Sequence, residues 1–257
     1  MSNNLIPGSQ PFEADIERPL YVPIKRRSFF MYAGATAGAT ALVLAGCSKD
    51  ESTPNTVDVG SGDVGVLNYA YALEQLEAAF YTQLRTGSYY LGLSATSAER
   101  QILDDLYYHE VIHRDFFMTA ITNAGRTPIK TLTANFTGID FGSRSAVLGA
   151  AKSFEDLGVS AYNGAGQYIT EPSYLFLAGK IVSVEARHAA IIRDLLKENS
   201  FVDNDILTLS TGGSSSVANN NSPANSSLER AMSPTEVVAM ANTYLAEGSK
   251  LNVSNIN

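Results

Sequence analysis

Apolar side chains recur at steps of three and four along four long stretches of this chain, and charged residues interrupt each apolar face. That period predicts amphipathic helices. The first runs from Asp63 to about Arg85, with Asp63 as its cap and Gly87 past its end. One of its faces carries Leu67, Ala70, Tyr71, Glu74, Glu77, Ala78, Tyr81 and Leu84. The second runs from Ser97 to about Asn123 with the stripe Leu103, Leu106, Glu110, His113, Phe117, Ala120 and Ala124. Ser97 caps it, and Gly125 and Pro128 lie beyond its end. A third, from about Ser143 to Gln167, presents Leu148, Ala151, Glu155, Gly158, Tyr162 and Ala165. Glycines 149, 158, 164 and 166 weaken it, so close backbone packing is expected to compensate. The fourth starts near Pro172 and ends near Asn199, with Leu177, Ile181, Val184, Glu185, His188, Ile191, Ile192 and Leu195.

Between the second and third helices, residues 125–142 are long enough to cross the end of a bundle. After the fourth, residues 200–232 contain a Ser- and Asn-rich run that reads as a low-complexity loop. Residues 233–257 supply a last short helix, Pro234 to about Glu247, and a tail. No stretch shows the Val/Ile alternation of strands, so the expected class is all-α, with the bundle occupying residues 63–199.

The interruptions carry the chemistry. A carboxylate held in an apolar core costs several kcal/mol unless it is paired or bound to a metal. Two of the three histidines lie three residues after a glutamate, as Glu110-x-x-His113 and Glu185-x-x-His188. On a helix such a pair projects from one face, an oxygen and a nitrogen donor aimed at one point. The third histidine, His109, is off the stripe by one position and reads as an outer-layer or surface residue. The remaining two helices repeat a different phrase: Glu74 is followed seven residues later by Tyr81, and Glu155 by Tyr162. Seven residues are nearly two turns, so each Tyr shares a face with its Glu. The chain is thus an internal repeat of two helix pairs. Glu77 lies near the same face and reads as an extra ligand or an outer carboxylate. The alternative for the whole set is a bundle with buried polar pairs and no metal.

A Glu from each of two helices and a Glu-x-x-His from each of the other two is the donor set of ferritin-like dinuclear carboxylate proteins. The segment from about Val64 to Asn199 resembles that superfamily. The phrases Leu73-Glu-Gln-Leu-Glu-Ala-Ala-Phe-Tyr81 and Val184-Glu-Ala-Arg-His-Ala-Ala190 resemble its exported bacterial branch, related to desiccation-associated proteins. The resemblance implies an antiparallel four-helix bundle with one long crossover and an additional C-terminal helix. It implies Glu74, Glu110, His113, Glu155, Glu185 and His188 as metal ligands, with Glu110 and Glu185 bridging. Tyr81 and Tyr162 would then serve by hydrogen bonding or electron supply, or simply pack the core. Two Fe or Mn ions suit such oxygen-rich donors, and Zn fits adventitiously. The implied activity is oxidoreductase chemistry, either Fe(II) oxidation or breakdown of peroxide. A non-catalytic metal-binding or structural role in stress and desiccation is the alternative, and an iron-storing cage a third.

The N-terminus adds an address. Residues 1–47 run from a polar start through Lys25-Arg26-Arg27-Ser28-Phe29-Phe30 and a mildly apolar stretch to Leu44-Ala45-Gly46-Cys47. Arg26 and Arg27 resemble a twin-arginine export signal, and the ending resembles a lipobox whose cysteine becomes lipidated. Cys47 is the chain's one cysteine, which excludes an internal disulfide. Residues 48–62 read as a tether. The expected location is the bacterial cell envelope, in the periplasm or at the surface, with the membrane touched only through the anchor. A formal net charge of −8 argues against nucleic acid as a partner. Metal ions and dioxygen or peroxide are the expected partners, and a homodimer is one assembly open to the chain.

Overall fold

The computed structural model describes residues 56–202 and 228–256. All of these fall within one compact unit, Leu42–Asn257. In chain order the elements are β1 (Thr56–Asp58), α1 (Gly62–Leu84), α2 (Ser88–Gly92), α3 (Ala98–Asn123), α4 (Arg144–Ala165), α5 (Pro172–Leu196), α6 (Pro234–Ala241) and β2 (Lys250–Asn252). Short 3₁₀ turns follow α4 at Gly166–Tyr168 and α6 at Asn242–Tyr244. The protein is all-α in class, built on a bundle of α1, α3, α4 and α5. No helix among the described residues is long and apolar enough to cross a membrane.

The helix starts follow from side-chain chemistry. Ser97 accepts from the Arg100 N–H and Ser143 from the Ala146 N–H, each satisfying an orphan donor of the first turn. Glu171 caps α5 ahead of Pro172, and Ser233 with Glu236 forms a capping box on α6. Asp63 departs from its expected role, because α1 begins one residue earlier. Its carboxylate accepts instead from Thr170 N at 2.7 Å, Thr170 Oγ1 at 2.8 Å and Glu171 N at 3.1 Å, tying the start of α1 to the start of α5. Past α3, Gly125 takes φ +71°, the left-handed turn that ends the helix.

Adjacent helices run antiparallel. Arg85, capping the end of α1, pairs with Asp104 near the start of α3. At the other hairpin, Arg144 of α4 donates to the Leu195 carbonyl at the end of α5. A buried bidentate pair, Arg193 to Asp156 at 2.7 and 2.6 Å, fastens α5 to α4. The crossover between α3 and α4 lies along α1, held by Asn68 Oδ1 to Ile129 N (3.0 Å) and Gln75 Oε1 to Leu132 N (2.8 Å).

Helix α1 is therefore covered nearly all round, and every residue from Gly65 to Ala78 is buried. An aromatic cluster of Phe80, Phe136, Phe141, Phe154 and Tyr244 packs where α1 meets the crossover and the C-terminal segment. The glycines of α4 divide in function. An added Cβ at Gly164 would lie 1.7 Å from the Met232 carbonyl oxygen, so the C-terminal segment closes on bare backbone there. At Gly149 nothing lies within 4 Å, and close packing does not explain it.

Three expectations are corrected. The absence of strands fails: β1 pairs in parallel with β2, Thr56 beside Lys250 and Asp58 beside Asn252. Residues 56–62 consequently belong to the folded body, with Val57 and Val59 buried, rather than to a tether. The terminal helix also ends at Ala241, short of Glu247, and the chain turns to dock on the crossover through the Ala134–Leu245 bridge. The export signal and lipobox residues Arg26, Arg27 and Cys47 lie outside the described residues.

Candidate metal centre

Each of the four long helices delivers its mid-stripe polar residue to one enclosed point. Glu74 (α1), Glu110 (α3), Glu155 (α4) and Glu185 (α5) are all 0% exposed. His113 and His188 enter beside them, with side chains 12% and 5% exposed. The donors form two groups, Glu74–Glu110–His113–Glu185 and Glu110–Glu155–Glu185–His188, and within each one donor atom per residue lies within 4.8 Å of the others.

The groups share Glu110 and Glu185, and they divide these carboxylates oxygen by oxygen. His113 Nδ1 lies 2.7 Å from Glu185 Oε1, 3.4 Å from Glu110 Oε2 and 3.5 Å from Glu74 Oε2. His188 Nδ1 lies 2.7 Å from Glu110 Oε1, 3.3 Å from Glu185 Oε2 and 3.4 Å from Glu155 Oε2. Each shared carboxylate therefore turns one oxygen to each histidine. Donors bound to a common ion at about 2.1 Å stand about 3 Å apart along the edges of its coordination shell, which is the spacing here.

Proximity does not make these contacts hydrogen bonds. Nine buried side-chain polar atoms among the described residues have no hydrogen-bond partner, and eight of them belong to this cluster. They are Oε2 of Glu74 and Glu155, both oxygens of Glu110 and Glu185, and Nδ1 of both histidines. Buried polar atoms are nearly always satisfied, so eight orphans converging on one space mark a place for cations. The outer oxygens of the two unshared carboxylates are satisfied: Tyr81 donates to Glu155 Oε1 and Tyr162 to Glu74 Oε1. Each tyrosine thus reaches across the bundle to the glutamate of the other helix pair.

The electrostatics of the metal-free cluster follow. Burial, then the charge of Glu185, pushes the Glu110 carboxyl up to about 8. Burial likewise raises Glu74 and Glu155. Against its own burial, the close approach of the His113 and His188 imidazoles holds Glu185 down to about 2. Burial would lower both imidazoles, yet the surrounding carboxylates outweigh it, pushing His113 up to about 12 and His188 upward as well. Protons on the imidazoles take the place that divalent cations would fill.

Glu77 is not brought into either group. It is 3% exposed, and burial followed by the charges of Glu185, Glu74, Glu110 and Glu155 raises its carboxyl well above the usual range. Its Oε1 occupies space left by Gly158, where a Cβ would stand 2.9 Å away. The repeat contained that signal, because Gly158 follows Glu155 as Glu77 follows Glu74.

His109 is exposed, as its off-stripe position implies, but its Nδ1 lies 2.8 Å from His188 Nε2. Tyr69 had no sequence signal. Its buried hydroxyl is the ninth orphan, and with Tyr162 its ring lines an apolar cavity of about 30 Å³ between the helices.

A four-helix bundle with a buried Glu/His cluster supplied by all four helices defines the structural class. Residues 62–198, more than half of the chain, match the ferritin-like domain family, and the chain belongs to it. No curated protein matches the chain.

Proposed function

We propose that this chain is an exported bacterial protein holding a dinuclear Fe or Mn centre, with oxidoreductase activity in envelope stress protection. The observation that carries the metal reading is the set of eight orphaned donors converging between four helices. In this reading Glu74 and Glu155 would each serve one ion, and Glu110 and Glu185 would be shared by both. His113 and His188 complete the set. Four carboxylates and two neutral imidazoles sum to −4, which two divalent cations neutralise.

Such a pair of ions, when bound, supplies two one-electron changes, matching the two-electron reduction of peroxide or the oxidation of Fe(II). The chain's own residues set the conditions. Tyr81 and Tyr162 stay protonated, since burial raises both well above the usual range, and they orient Glu155 and Glu74 as donors to the outer carboxylate oxygens. The burial of all four carboxylates keeps bulk water from them. The location we infer, outside the cytoplasm on a lipid anchor, is supported by Arg26-Arg27 and the Leu44-Ala45-Gly46-Cys47 ending.

One observation favours a non-catalytic reading: all four cluster carboxylates are fully enclosed, as in a site that stabilises a fold. Metal analysis of the purified chain, expressed with iron or manganese, followed by peroxide and Fe(II) turnover, separates the readings. Two ions with turnover are expected. Two ions without turnover leave the structural role, and a folded helical protein that takes up no ion removes the metal centre.

A further inference from the structure

The two histidines of the cluster face it alike and differ behind. His188 turns Nδ1 to the carboxylates, and its Nε2 lies 2.8 Å from Nδ1 of His109 on α3. The two rings are 20° from parallel with centroids 5.1 Å apart. His113 turns Nδ1 inward in the same way. In the internal repeat His109 precedes Glu110, and the residue preceding Glu185 is Val184. Valine has no side-chain polar atom to offer at the matching place.

We propose that His109 is the positioning partner of His188, and that it makes the two metal positions inequivalent. The proposal rests on the dinuclear reading above. A neutral imidazole that binds a cation through Nδ1 carries its proton on Nε2. That N–H of His188 donates to His109 Nδ1, whose lone pair faces it, and the His109 proton then sits on its own Nε2. The bond fixes the ring angle of His188 before any ion arrives, and keeps the remaining proton on Nε2 once the inner one is displaced. Partners of this kind tune a metal through its ligand, and losing one costs about 10–100-fold in affinity. Among the described residues no hydrogen bond is seen at Nε2 of His113. The Glu155–His188 position is therefore the tighter of the two, and it fills first.

The test is a competition titration of the metal-free full chain with Mn(II) against a chelator, in wild type, His109→Ala and His109→Asn. Wild type should take two ions with distinct affinities. His109→Ala should weaken the tighter ion by about 10–100-fold and leave the other where it was. Asn presents a carbonyl oxygen near the place of Nδ1 and should recover most of the loss, a rescue that a space-filling role for His109 would not show. Because His109 is exposed, the variants are expected to keep the wild-type helical content. Two unchanged affinities in His109→Ala, or equal weakening of both, overturn the proposal while the dinuclear reading stands. A wild-type chain that takes up no ion removes both.

Discussion

The α1–α3 and α4–α5 hairpins carry the same chemistry on different surroundings. Each contributes a Glu, a Tyr seven residues later and a Glu-x-x-His. Across the cluster the matching histidine–carboxylate distances agree: 2.7, 3.4 and 3.5 Å around His113, and 2.7, 3.3 and 3.4 Å around His188. Away from the donors the likeness ends. The first hairpin has Glu77 where the second has Gly158, and His109 where the second has Val184. What is repeated is what the cluster requires, and what differs lies one layer outward. Donor geometry tolerates little variation, whereas the outer layer has only to fill space and fix orientation.

The largest effects should come from testing whether the halves form one site. Replacing a shared carboxylate, as Glu110→Ala or Glu185→Ala, is expected to remove both ions, since each turns an oxygen to either side. Glu74→Ala or Glu155→Ala should remove one. His113→Ala and His188→Ala should each abolish at least one ion with helical content retained. Elemental analysis beside circular dichroism reads all of these, and full occupancy in both histidine variants would dismiss the assigned ligands.

A smaller effect is expected from pH, through residues that belong to both halves. In the metal-free cluster the Glu110 carboxyl titrates at about 8, so below that pH an incoming cation must displace its proton. His113, pushed up to about 12, surrenders a proton on either side of neutrality. The group that binds protons more strongly without metal gives them up on binding, so affinity rises with pH. Calorimetry in buffers of different ionisation heat should find about one more proton released per chain near pH 6 than near pH 9. Release independent of pH would show that the carboxylates are already ionised.

The smallest effect sharpens the difference between halves. Gly158→Ala sets a methyl group 2.9 Å from Glu77 Oε1 and should cost roughly 1–3 kcal/mol. In a Glu77→Ala background the same change meets open space and should instead gain up to about 1 kcal/mol from helix propensity. Denaturation of the four proteins in this cycle measures the coupling, and additive costs would mean that Glu77 does not fill the Gly158 gap.

The bundle was legible because each helix writes its buried face in steps of three and four, and the donors sit on that face. Glu110, His113, Glu155, Glu185 and His188 stood out as charge where Leu or Ala would be expected. Glu77 shows the limit of such spacing. It shares a face with Glu74, and only the gap at Gly158 on another helix takes it outside both donor groups. His109 stands about 100° around α3 from Glu110, where sequence places it off the core, and the neighbouring α5 makes that position a contact. The strands β1 and β2 are three residues each and nearly two hundred residues apart. No local alternation could announce them.

That small sheet has a mechanical consequence. Its strands are parallel, so the chain enters at the Thr56 end of one and leaves at the Asn252 end of the other. A pull applied between the two ends slides the strands past each other instead of peeling them apart. All three rungs, from Thr56–Lys250 to Asp58–Asn252, then bear the load together. With the N-terminal anchor proposed above, force on the far end would meet this shear clasp before it reaches the helices that surround the Glu/His cluster.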